Sequence, residues 1–561
     1  MPGLERQVRL VSRRGAAAAC AGLVLLGMAA PALATHGSET DAERRVAEIL
    51  ASPRIELDGA ALPAGQLRRL YQDKRDHLLW LDDTALTPRG REAVAAINAS
   101  LDDGLYPEKY FVPAIQARIS HVTPERAAEL DLLISAGLLG YISDISAGRL
   151  APKVSDPELF DYPDPPDPVP ILRRVRAAPD LRAALEALAP PHSAYHGLRA
   201  ALAQYRALAD RGGWPSVPEG EKLEQGDRGL RVAALRRRLA ATGEAPADAA
   251  DPLAFDAALA AAVRAFQRRH GLDDDGIVGT RTLAALNVSI EERIRQIQMN
   301  MERWRWLPHD LGRRYLLVNA ADFALKVVED GRVALAMSVV VGRPYRRTPI
   351  FTGQLRYLIF NPDWNVPPSI ARKDLLPKIR KDPGYLAAHD YQLLSDWSAQ
   401  AHELDPLRID WSAVSGRFPY KLRQRPGPEN ALGRVKFMLP NRYNVYLHDT
   451  PSRELFRKTV RSFSSGCVRV AKPIEMAEYL LSGTEGWDSQ RIQATIESGK
   501  TIQVNLPLPI PVYFTYFTAW VDSQGTVQFR DDIYRRDSAL YTALIDQLVV
   551  ETTSGRGGDA Q

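Results

Sequence analysis

Near Arg314 the hydrophobic pattern of this 561-residue chain changes period. Upstream, from about Asp41 to Leu208, apolar residues recur three and four apart, as in Leu130, Leu133, Ile134 and Leu138, the spacing of a buried helical face. Downstream, "RYLLVNAADFALKVVEDGRVALAMSVVVG" (314–342) follows period two and is rich in β-branched residues. It reads as strand, strand, a turn at Asp330-Gly331, and strand. A chain this long cannot fold around one core. The pattern therefore predicts a multidomain α+β fold of three or four domains, helical first and β-rich last.

The helical part, residues 35–220, is read as a scaffold domain. Thr123-Pro124-Glu125 is a helix start, with Thr as cap and Pro at the first helical position. The Pro-rich joint "DYPDPPDPVP" (161–170) cannot be helix interior. His77 and Trp80 are read as core residues. Residues 221–290 form a second unit of three helices. Asp227 is expected to cap the first, which carries Val232, Leu235 and Leu239 on one face. The second is expected to end at His270 with Gly271 as its left-handed stop. A turn at Asp275-Gly276 then leads to Thr280, expected to cap the third. Residues 291–313 read as a helical linker, 314–540 as a β-rich catalytic domain, and 541–561 as a C-terminal helix and tail. Within the β-rich part, Pro473 opens and Gly483 closes a helix, and Ser523-Gln524-Gly525 turns a closing hairpin. Between about 367 and 433 the strand text pauses for a polar, partly helical passage, expected to be a lid or a binding element. Lys421, Arg423 and Arg425 within it read as a solvated basic face ahead of a carboxylate clamp.

The first residues are Arg6, Arg9, Arg13 and Arg14, then an apolar run to about Ala30 and the small residues Ala32-Leu33-Ala34. That order is a signal peptide, expected to be cleaved after Ala34 and to leave no transmembrane anchor. Export to the periplasm is the expected destination. Residues 1–34 contribute +3 of the formal net charge of +4, so the remainder is near neutral and carries no nucleic-acid footprint. The chain has two cysteines, and Cys20 falls in the signal segment. Cys467, in "SFSSGCVRV", is left without an internal partner, so it is inert, paired between chains, or chemically employed. Its neighbours favour the last. His448 ends an alternating strand 19 residues upstream, and a thiol needs a base beside it to become a nucleophile. Gly466 suits a turn whose backbone N–H groups form an oxyanion hole. One mature cysteine cannot build a tetrahedral zinc site, and no phosphate loop or dinucleotide fingerprint exists. No metal or other cofactor is expected.

"YLHDTP.R.LF" followed by "SSGCVRV" resembles the His and S-x-G-C-x-R signature of L,D-transpeptidases with a YkuD-type catalytic domain. Residues 223–290, with "FQRRHGL", "DGIVG" and "T..AL", resemble the peptidoglycan-binding type 1 module. The domain order and "FNPDWNVPPSI" match the large YcbB-like branch; Ser465 stands where many members have His. The resemblance implies a helical scaffold, a three-helix peptidoglycan-binding module and a YkuD-type domain with an inserted lid. It implies peptidoglycan stem peptides as substrates and an attack by Cys467 on the third-residue carbonyl, expelling D-Ala. His448 would hold the thiolate and shuttle protons, the backbone of Gly466 and Cys467 would form the oxyanion hole, and a second stem would accept the acyl group in a 3→3 cross-link. Arg469 would orient the turn or meet a substrate carboxylate. Tyr446, Trp364 and Ser465 would line the pocket. Carbapenems would acylate the same thiol. Stem trimming as an L,D-carboxypeptidase, protein attachment to the wall and a non-catalytic wall-binding role remain open alternatives.

Overall fold

A computed structural model describes residues 40–72, 78–151, 165–246 and 248–553. The expected signal peptide with Cys20, His77, and the first part of the 161–170 joint lie outside the described residues.

The helical scaffold is built on α1 (Pro124–Ala147), which starts as the sequence implies: Thr123 accepts the Arg126 N–H at 3.4 Å, with Pro124 at the first position. Leu130, Leu133, Ile134 and Leu138 are fully buried on it. This helix is long and apolar enough to cross a membrane, yet 78% of its apolar window is buried inside the protein, so it is the scaffold's core. Trp80 is fully buried and donates its indole N–H to Ser135 at 2.8 Å. Beyond helices, the scaffold holds two short hairpins, at 56–61 and 81–86. Its last long helix, α2 (Ser193–Asp210), packs on the segment that leads to the catalytic domain.

The second unit comprises α3 (Leu230–Ala240), α4 (Ala257–Arg269) and α5 (Thr280–Leu286) around Leu235, Leu239, Leu259 and Phe266. Its caps differ from the sequence expectation. Asp227 accepts the Glu224 N–H at 2.8 Å and caps no helix, because Gly229 occupies the cap of α3 without a side chain to offer. Thr280 is already the first residue of α5, with Gly279 at its cap. Gly271 stops α4 at φ +64, as expected.

Residues 290–305 form α6 (Ile290–Arg305), opened by a reciprocal capping box between Ser289 and Glu292. The stretch that reads as a linker is a core helix: Ile297, Asn300, Met301 and Arg305 are among its buried residues, and it packs on α2 and α1.

The β-rich unit contains β1 (Arg314–Asn319), β2 (Ala324–Glu329), β3 (Arg332–Gly342), β4 (Thr352–Phe360), β5 (Val435–Met438), β6 (Leu447–His448), β7 (Ser462–Ser464), β8 (Val468–Val470) and β9 (Ile502–Thr515). Asp330-Gly331 turns β2 into β3 with both residues at positive φ, the primed hairpin geometry. Among the described residues these nine strands form one sheet, in the order β7-β3-β8-β6-β5-β4-β9-β1-β2. Because β3 also pairs with β2, the sheet curves back on itself around Leu325, Val339, Leu358, Phe437, Leu447 and Val468. A closing hairpin, β10 (Ala519–Val521) with β11 (Val527–Phe529), leaves this sheet and packs on the scaffold side. Helix α7 (Pro473–Leu481) follows β8, and α8 (Arg536–Thr553) runs against α6.

The insertion between β4 and β5 has its own core, including Leu375, Ile379, Leu386, Trp411 and Leu422. Three short strands, Trp364–Asn365, Tyr391–Leu394 and Lys421–Gln424, form its sheet. A passage that reads as polar is thus a small αβ unit. Arg423 bonds Gln392 at 2.5 Å, Arg425 lies 3.6 Å from Glu403, and Lys421 sits over Trp397.

Candidate active site

Strand β6 lies between β5 and β8, and the register fixes what faces the site. His448 pairs with Lys436 on one side and with Arg469 on the other. Residues in register across adjacent strands share a face, so Lys436, His448 and Arg469 form a row. Leu447, Phe437 and Val468 point the opposite way into the core and pin the orientation. Two residues before His448 and Arg469 come Tyr446 and Cys467, on the same side by alternation. The Tyr446 and His448 rings are 5.6 Å apart. Cys467 is half-buried and its thiol approaches the Asn444 carbonyl at 3.7 Å. The Tyr446 hydroxyl and backbone lie close to the Cys467 sulfur, and the Trp364 side chain lies close to the same hydroxyl.

The turn that carries Cys467 is held by short-range bonds. The Ser464 hydroxyl donates to the Cys467 carbonyl at 2.6 Å and accepts the Gly466 N–H at 3.1 Å. Thr348 donates to the Gly466 carbonyl at 2.9 Å and accepts the Gly342 N–H at 2.9 Å. Gly466 sits at φ +116, where a side chain would be strained. A Cβ on Gly342 would lie 2.1 Å from the Arg346 carbonyl, so this neighbouring turn requires glycine too. With the Gly466 N–H engaged by Ser464, the Cys467 N–H is the backbone donor left without a protein acceptor among the described residues. Ser465 accepts from Arg346 at 2.8 Å, and Arg346 also reaches Asp374 of the insertion. One guanidinium therefore joins the insertion to the residue two before the thiol.

His448 is buried, and its Nδ1 lies 2.5 Å from the Asp449 carbonyl. That bond requires a proton on Nδ1 and leaves Nε2 as the lone-pair nitrogen. Asp449 itself is anchored by Arg434 and Arg453, each at 3.3 Å. Burial, aided by Arg469 and Lys436, pushes the imidazole down to about 3. Burial pushes the Cys467 thiol up, against opposing contributions from Tyr446, Lys436 and Arg469. Both shifts favour the uncharged forms, so the resting pair is thiol and imidazole. These directions run against a standing thiolate held by His448. Desolvation in this half-closed face is the reason.

The sequence-derived residues Tyr446, His448, Ser465, Gly466, Cys467 and Arg469 thus gather on one face of the sheet around β6 and β8, with Trp364 of the insertion reaching toward them. Two further residues escape sequence reading. Lys436 belongs to "RVKFMLP", where alternation alone makes it a solvent-side residue, and only cross-strand register brings it to His448. Arg346 lies in a loop with no motif.

Comparison with known proteins divides the chain in the same way. A sequence-family model of an L,D-transpeptidase catalytic domain matches residues 313–496, one of a peptidoglycan-binding domain matches 228–286, and one of a scaffold domain matches 65–202. A curated Haemophilus influenzae protein bearing the name L,D-transpeptidase is 38% identical over 259 residues, 46% of this chain and 51% of the relative. The chain thus spans about half the length of that relative. Among solved structures, an L,D-transpeptidase from Xylanimonas cellulosilytica is 19% identical, with TM-score 0.17, covering 53% of this chain and 98% of its own. One from Stackebrandtia nassauensis is 14% identical, with TM-score 0.20, covering 54% and 96%. Similarity at those scores assigns no role to any residue of this chain.

Proposed function

We propose, from the premise that residues 313–496 are a YkuD-type L,D-transpeptidase catalytic domain standing beside a peptidoglycan-binding domain, that this protein cross-links peptidoglycan stem peptides through an acyl-enzyme on Cys467. The observation that carries the reading is the shared face of His448 and Cys467, with the imidazole tautomer fixed by the Asp449 carbonyl.

In the reaction so read, the Cys467 sulfur attacks the third-residue carbonyl of a tetrapeptide stem while its proton passes to His448 Nε2. The carbonyl oxygen gathers negative charge, and the Cys467 N–H stabilises it. His448 returns the proton to the departing amine of D-Ala, leaving a thioester. A second stem's side-chain amine then attacks, His448 takes its proton, and the thiol is regenerated with a 3→3 peptide bond formed. Tyr446 positions the sulfur, and the insertion shapes the cleft through Trp364 and through the Arg346 bridge. The expected location is the periplasmic face of the wall, with the 228–286 module as the wall contact. Water in place of the amine would give the carboxypeptidase outcome.

The test is product analysis with purified tetrapeptide stems and dimers. The reading predicts 3→3 dimers and a Cys467-linked acyl adduct by mass spectrometry. Tripeptide alone would favour the hydrolase, and neither product would sink the assignment.

A further inference from the structure

Lys436 takes no part in the proton and acyl transfers between Cys467 and His448, yet it stands next to them. In register with His448 on β5, it mirrors Arg469 on β8, so a cation, an imidazole and a cation cross three strands at about 5 Å spacing. Its Nζ lies 3.9 Å over the Tyr446 ring, whose hydroxyl meets the Cys467 sulfur. Val435 and Phe437 are fully buried on the other side of the strand, which keeps the ammonium on the catalytic face.

A cation drawn partly out of water is normally neutralised. Several buried cations in the chain follow that rule, as where Arg303 meets Asp537 at 2.5 Å, Lys109 meets Asp144 at 3.1 Å and Arg269 meets Glu244, while Arg238 and Arg293 are buried against carbonyl acceptors and aromatic rings instead. Among the described residues Lys436 makes no ion pair, and its half-buried ammonium lies over the Tyr446 face with the Cys467 thiol and the His448 imidazole near it. Arg469 makes no ion pair among the described residues either, although the Glu454 charge acts on it from nearby. Two cations without a paired carboxylate thus flank the Cys467 thiol, an arrangement that suits an anion arriving with the substrate.

We propose that Lys436, together with Arg469, recognises a carboxylate of the donor stem peptide and thereby selects donors and sets their register over Cys467. The inference rests on the transpeptidase reading and adds to it a specificity-determining residue. A tetrapeptide donor offers two carboxylates near the scissile bond, the C-terminal one on the leaving residue and the side-chain one of a third-residue diamino diacid. Both have the same chemistry, and amidating them one at a time tells them apart.

The experiment uses the full chain, with three synthetic tetrapeptide donors: unmodified, amidated at the C-terminus, and amidated at the third-residue side chain. For the wild type, one of the two amides should raise KM about tenfold or more, the order expected of a lost charge-assisted hydrogen bond. Lys436→Met should raise KM for the unmodified donor by a similar factor and lose the discrimination, with kcat changing far less. Lys436→Arg should restore it. An equal fall in kcat on all three donors, or discrimination left intact in Lys436→Met, would overturn the assignment. If the wild type turns over no donor, the transpeptidase reading fails separately. The carboxylate site is then read by protection of Cys467 from iodoacetamide, in which the unmodified peptide should protect and one amide should not. Equal protection by all three, or by none, would remove the site.

Discussion

Two regions of this protein hold partly or wholly buried charge, and they treat it in opposite ways. At the junction of scaffold and catalytic unit, Arg305 on α6 gives one nitrogen to Glu302 at 3.0 Å and another to the Tyr195 hydroxyl at 2.9 Å and the Asp103 carbonyl. Glu302 in turn accepts the backbone N–H groups of Arg149 at 2.5 Å and Leu150 at 3.2 Å. On the catalytic face, Lys436 and Arg469 make no ion pair among the described residues, with only the Glu454 charge acting on Arg469 from nearby, and burial keeps His448 between them neutral. Unpaired buried charge is costly, and folding alone gives no reason to keep it. The junction pairs its main charges inside the fold, although Arg305 Nε and one Arg303 nitrogen there lack an acceptor among the described residues, and the catalytic row leaves its charges without a paired carboxylate.

Damage to each region, with both outputs read, puts that contrast at greatest risk. Cys467→Ala should abolish turnover and leave the denaturation midpoint of the full chain where it was. Glu302→Ala should do the reverse, stranding Arg305 and two backbone donors at a cost of about 3–5 kcal/mol, read by chemical denaturation. Acylation of Cys467 by a small β-lactam should survive in Glu302→Ala wherever that variant is folded. Should Glu302→Ala prove harmless to stability, the junction is not the paired network described.

A smaller effect separates a resting thiol from a resting ion pair. With the thiol pushed up and the imidazole pushed down, alkylation of Cys467 by neutral iodoacetamide should be slow at pH 7 and rise continuously through pH 9. A thiolate–imidazolium pair would instead react at a plateau rate from mildly acidic pH upward. Rate measurement across pH 5 to 10, with peptide mapping to Cys467, decides between them.

Much of this organisation is legible in the sequence, because local rules govern it. The period change near Arg314, the Asp330-Gly331 turn, the Thr123 cap and the pairing of "YLHDT" with "SSGCVRV" each depend on residues close in the chain. What escapes depends on distant partners. "RQIQMNMERWR" within α6 reads as polar, and its burial follows from charges that find Asp103, Asp537 and Tyr195 far away in sequence. The insertion reads as a polar lid because its core residues are scattered among charged ones, and only the fold collects Trp411, Leu422 and Ile379. Asp227 and Thr280 fit the composition of caps, but the chain starts each helix elsewhere, so composition without φ and ψ misplaces them. Lys436 is the clearest case, since alternation marks it as outward and register alone brings it to His448.

Stability against pH probes the catalytic row further, with effects that can be signed. In the unfolded chain His448 titrates near 6.5, while in the native fold it stays neutral to about 3. The unfolded state therefore binds more protons over that window, and native stability falls as pH drops from about 6.5 toward 3. Between pH 7 and pH 5 the wild type should lose about 2 kcal/mol more than His448→Gln, a difference that cancels contributions from other groups. An equal loss in both would mean that His448 is charged in the folded protein.

The smallest expected effect concerns what keeps that imidazole neutral. Burial is the largest cause, the Arg469 charge the next, and Lys436 the least, with the Asp449 carbonyl opposing them. Lys436→Met removes only the least, so the acid limb of stability below pH 5 should move by no more than about half a pH unit. The same substitution is expected to alter donor selection strongly, because there Lys436 meets the substrate directly. If Lys436→Met instead shifts the acid limb by a full unit or more, the catalytic row's cations govern its protonation. Lys436 would then belong to the proton chemistry as well as to recognition, and the catalytic row would resemble the junction in using charge to fix its own internal state.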